Sequence, residues 1–120
     1  MNERPSKGEG PVRPVAVDIE DLARRLHEAD HLGPETRAEL AALLRSLAET
    51  LDRPGVPVQA EQLAQSTAEL VRAVKDRHES GLIEAARDRV EGAIARAEAK
   101  APVATEVVLQ LIDVLAGIGI

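Results

Sequence analysis

No Phe, Tyr or Trp occurs anywhere in the 120 residues. Each aromatic side chain would bury roughly 150–250 Å², so a core made without them is thin, and its elements must approach one another closely. Apolar residues still make up 44% of the chain, enough for a globular interior assembled from Leu, Ile, Val and Ala. A chain of 120 residues has room for one such core. A thin core in a short chain also favours covering leftover apolar surface with a second copy, so the expectation is a homodimer. Cys is absent too, which removes disulfides, thiolate metal sites and a Cys nucleophile.

The apolar residues recur at helical spacing. Residues 1–16 carry Pro5, Gly8, Gly10, Pro11 and Pro14 among Ser, Lys and Glu, a mixture that buries too little to offset its ordering entropy, so they read as a flexible, disordered N-terminal tail. Residues 17–120 read as a single helical domain. Asp18 is the expected N-cap of a first helix with Ile19, Leu22, Leu26 and Ala29 on one stripe, ending at Gly33 before Pro34. A second helix carries Leu40, Leu43, Leu44, Leu47 and Leu51 and closes at Arg53, Pro54 and Gly55. A third begins near Ala60 and runs through Leu63, Thr67, Leu70 and Val74. Near Ser80 and Gly81 either Ser80 caps a new helix or Gly81 sits inside one long helix at about 1 kcal/mol against Ala; the stripe changes phase to Ile83, Ala86, Val90 and Ile94, which favours a break or kink there, ahead of an Ala-rich fourth helix that stops before Pro102. The fifth holds Val103, Val107, Val108, Leu111, Ile112, Leu115 and Ile118, and the apolar ending Gly117–Ile120 is expected to dock on the rest. The fold class is therefore all-α, an antiparallel bundle of four to five amphipathic helices.

A formal charge of −6 argues against a nucleic-acid partner, which needs clustered Lys and Arg. No run approaches the roughly 18 apolar residues of a membrane span, and no secretory signal precedes the helices. The expectation is a cytoplasmic protein without stable membrane insertion.

One catalytic pattern is present. His27-Glu28-Ala29-Asp30-His31 fits H-E-x-x-H, in which two His one helical turn apart bind zinc and the Glu polarises the bound water. At about 100° per residue, however, both imidazoles fall far from the Ile19–Leu22–Leu26–Ala29 stripe and face solvent. A third ligand and a substrate-holding sheet edge are also missing. His27 and His31 are thus weak metal candidates, His78 joins them only if the fold brings it close, and a zinc-dependent hydrolase is the alternative reading rather than the leading one. The other nucleophile and phosphate-loop motifs do not occur, and neither catalytic residues, metal nor cofactor is assigned.

The leucine seam Leu40, Leu44, Leu47, Leu51 follows the four-three-four spacing of a packing surface. Together with the face Val108, Leu111, Leu115, it is the expected interaction surface, with self-association or another protein as partner.

Three stretches carry a resemblance: residues 26–40, from Leu26-His27-Glu28-Ala29-Asp30 to Leu40; the turn Ala97-Glu98-Ala99-Lys100-Ala101-Pro102; and the ending Leu111–Ile120. Over two blocks, roughly 22–53 and 82–120, the chain resembles a family of short bacterial helical proteins known as domain of unknown function four-four-zero-four. It departs from the family at Ala97 and Ala101, where a Phe and a His are usual, and residues 55–81 read as an insertion. The resemblance implies a helical fold and no catalytic residues. The function expected is that of a structural or adaptor module acting through protein association, not an enzyme.

Overall fold

A computed structural model describes residues 14–120. Five α-helices follow in chain order: α1 Val15–Arg25, α2 Pro34–Leu51, α3 Val58–Lys75, α4 Ser80–Ala97 and α5 Pro102–Gly117. No strand occurs among the described residues, and no helix among them is long and apolar enough to cross a membrane.

Proline sets most helix starts. Pro14 stands at the N-cap of α1, and its carbonyl accepts the N–H groups of Val17 and Asp18, so the helix begins three residues before Asp18 and the expected Asp18 cap is not formed. Val15 and Ala16 belong to α1 rather than to a tail; residues 1–13 of the expected tail lie outside the described residues. Pro34 and Pro102 open α2 and α5 at the first-turn position that tolerates a missing N–H, and Pro57 precedes α3. α4 starts with Ser80 as its first helical residue, Glu79 taking the cap position without a side-chain bond.

The predicted break between the third and fourth helices is present at Asp76–Glu79. Here the N–H of Arg77 donates to Val74 and that of His78 to Ala73, the paired bonds that satisfy the last carbonyls of a helix and turn the chain away. Arg77 takes the left-handed conformation, φ 58°, that this turn requires.

α1 and α2 form one hairpin and α3 and α4 another. α2 packs on both α1 and α5, while α3 packs on α4 and also touches α1 and α5. The principal extents are 51 × 33 × 25 Å, and packed helices lie about 8–10 Å apart. Between them sit Ile19, Leu26, Leu40, Leu44, Leu47, Leu63, Leu70, Val90, Val108, Leu111 and Leu115, all 0–1% exposed. Ala60, Ala64, Ala86, Ala93, Ala97 and Ala104 are also buried; such small side chains let the helices close without aromatics. The chain end docks as expected at Ile120, which packs against the core and whose carbonyl accepts from Arg87 Nη1 at 2.9 Å. Ile118 stays exposed.

Candidate functional site

The His27–His31 segment is not a helix. α1 ends at Arg25, Leu26–Glu28 is a single 3-10 turn, and Ala29 leaves helical geometry at φ −87°, ψ 73°. The N–H groups of Ala29 and Leu32 donate three residues back, to Leu26 and Ala29. This winding puts Leu26, Ala29 and Leu32, spaced by threes, together in the core. The two imidazoles consequently lose the one-turn stacking on which the zinc motif depends.

Each imidazole is bonded to a different element. His27 Nδ1 lies 2.8 Å from the carbonyl of Arg24 in α1, and His31 Nε2 lies 2.8 Å from that of Val74 in α3. A carbonyl only accepts, so each of those nitrogens carries the proton. Glu28, the presumptive base of the motif, sits 3.5 Å from Lys75 Nζ at the end of α3. The segment is a joint that fastens the α1–α2 turn to the last turn of α3. Lys75, with only 12% of its side chain exposed, also reaches Asp76 at 2.7 Å. That hydrogen bond, first among the causes, holds the Lys75 ammonium above its ordinary pKa and the Asp76 carboxyl below its own. His78 lies in the α3–α4 turn and lines a separate hollow with Leu82, Ala85 and Arg89. Among the described residues, no three His, Cys, Asp or Glu side chains come together in a way that could hold a metal ion.

The expected interaction surface is internal. Leu40, Leu44, Leu47, Val108 and Leu111 are fully buried and Leu115 is 1% exposed, because α2 and α5 turn these faces to each other and to α1 and α3; Leu51 is half-buried. A partner cannot reach those residues in the folded chain, so any docking surface is built from others.

Two places on the exterior differ from a plain solvated face. On α5 the core takes Ala104, Thr105, Val108, Leu111 and Leu115, leaving Val103 at 64% and Leu109 at 47% exposed. Val107, Ile112 and Val114 are half-buried beside them. Glu106 and Asp113 are the only charged residues in the helix, and neither pairs with a cation among the described residues. Between α1 and α2 runs a shallow groove of about 370 Å³ whose lining includes Ala23, Ala38 and Ala41 below Arg24, Arg37 and Arg45. Sequence reasoning counted Val103 among the apolar residues of the fifth helix but assigned neither it, nor Leu109, nor these arginines to a surface. The available signal was the width of the apolar face of α5, which exceeds the arc one neighbouring helix can cover.

No curated protein and no solved structure matches the chain. The family described as domain of unknown function (DUF4404) matches residues 16–120, a span that takes in residues 55–81 as well as both blocks of the resemblance. By that match, which covers nearly the whole sequence, the chain belongs to the DUF4404 family.

Proposed function

We propose that the chain is a non-catalytic structural or adaptor module that acts by associating with a second copy of itself through the outward face of α5. The observation that supports this is the pair Val103 and Leu109, two large aliphatic side chains exposed on the most apolar helix. Covering them removes apolar area from water at roughly 25 cal/mol per Å², and the lack of aromatics leaves little other apolar area with which to anchor a contact. The zinc hydrolase reading has no comparable observation in its favour, since His27, Glu28 and His31 are each engaged elsewhere.

Light scattering on the eluting protein, across the micromolar range, tests the reading. The expected mass is that of two chains, and Val103→Ser combined with Leu109→Ser weakens the association by about tenfold while the helical circular dichroism is unchanged. A mass of one chain at every concentration, or a dimer indifferent to both substitutions, refutes it.

A further inference from the structure

Resting on that reading, we infer which surface receives α5: the arginine-rimmed groove between α1 and α2 of the second copy. The two surfaces are complementary in charge. α5 contains no Lys or Arg, and Glu106 and Asp113, both exposed, stand two turns apart at the centre of its outward face, about 10 Å along the axis. The groove presents Arg37 and Arg45 two turns apart on α2, about 12 Å along its axis, with Arg24 opposite on α1.

The groove arginines are not fully committed at home. Arg45 makes no ion pair among the described residues. Arg37 Nη1 donates to the His27 carbonyl at 3.1 Å and lies 4.0 Å from Asp30 Oδ1, leaving its other guanidinium donors open. Arg24 holds Asp21 at 2.7 Å, but with 64% of its side chain exposed. Beneath them Ala23, Ala38 and Ala41 let the backbone of an incoming helix come close.

Symmetry makes the contact closed. α2 touches both α1 and α5, so the acidic helix and one wall of the basic groove are neighbours in the fold. In a dimer with two-fold symmetry each α5 meets the other copy's α1–α2 groove, so both contacts form together and no surface is left over for a filament. A chain of net charge −6 repels its copies generally, and the arginines opposite Glu106 and Asp113 fix the register in which the two can meet.

The test is charge reversal followed by mixing. Arg45→Glu alone, and Glu106→Lys with Asp113→Lys, each place two mismatched contacts in a homodimer and weaken self-association by about tenfold. A one-to-one mixture of the two variants has one native contact and one in which only the Arg45 site is reversed, so heterodimers form in preference to either homodimer. All three positions are exposed, and circular dichroism checks that each variant folds. Raising the salt concentration weakens the wild-type dimer, because the pairs lie at a solvated rim. Homodimers indifferent to reversal, or variants that fail to rescue each other on mixing, overturn this inference while the α5 reading stands. A wild-type chain that is single at all concentrations overturns both and leaves the groove to an acidic helix of another protein.

Discussion

The carbonyl of Val74 accepts from two groups, the Arg77 N–H at 3.2 Å and His31 Nε2 at 2.8 Å, so one atom joins the end of α3 to the α1–α2 turn. Arg77 occupies the position where glycine is the usual residue, and a left-handed conformation costs a side-chain-bearing residue roughly 1–2 kcal/mol. Part of that is recovered by glycine's greater freedom in the unfolded chain. Arg77→Gly should therefore stabilise the fold by up to about 1 kcal/mol, raising the melting temperature by a few degrees, whereas Arg77→Val should lower it. The neighbouring Lys75–Asp76 pair gives the molecule a pH dependence. The Asp76 carboxyl is held below its usual range, so its contribution is complete above the unfolded-chain value of 3.8 and is lost as the pH falls through the lower folded value. Lys75 is raised, so its contribution is complete below 10.5 and is lost as the pH rises through the higher folded value. Urea titrations of Asp76→Asn against wild type should converge at acid pH and separate towards neutrality; parallel curves at all pH values would show that the pair contributes nothing.

Among the helices, α2 and α5 show what periodicity can and cannot say. Their stripes identify Leu40, Leu44, Leu47, Val108, Leu111 and Leu115 as covered residues, and they are covered, but spacing on a wheel is the same whether the cover comes from the chain or from a partner. Leu111 is wholly buried, so Leu111→Ala should cost about 2–5 kcal/mol in equilibrium unfolding, and a charge there would unfold the chain rather than separate two copies. Turns were legible because Pro34, Pro57, Pro102 and Gly33 punctuate the sequence, and the change of stripe phase located the break at Asp76–Glu79. Two features were missed for physical reasons. Pro14 begins α1 with its carbonyl, although Asp18 is the better capping residue by type. The His27–His31 segment unwinds because Leu26, Ala29 and Leu32 all need burial, and a spacing of three suits a 3-10 turn better than an α-helix. The docking surfaces were the least legible, since exposure of Val103, Leu109 and Arg45 is decided by where α5 and α1 land, not by their own helices.

At the scale of the molecule, the core is continuous from α1 to α5, as a single thin interior requires, and the exposed apolar residues are scattered except along α5. The two hairpins, α1–α2 and α3–α4, join neighbours in sequence, and contacts of that kind form early because little chain has to be closed. α5 is different: its principal partner is α2, some sixty residues upstream, and closing that distance carries the larger entropic cost. Of the five helices, α5 is thus the one that must fold back farthest. Until it does, the part of α2 that α5 covers is left open to solvent. A chain whose α5 has not yet docked is consequently stickier than the folded one, and its exposure to aggregation is set by how quickly that sixteen-residue helix finds α2.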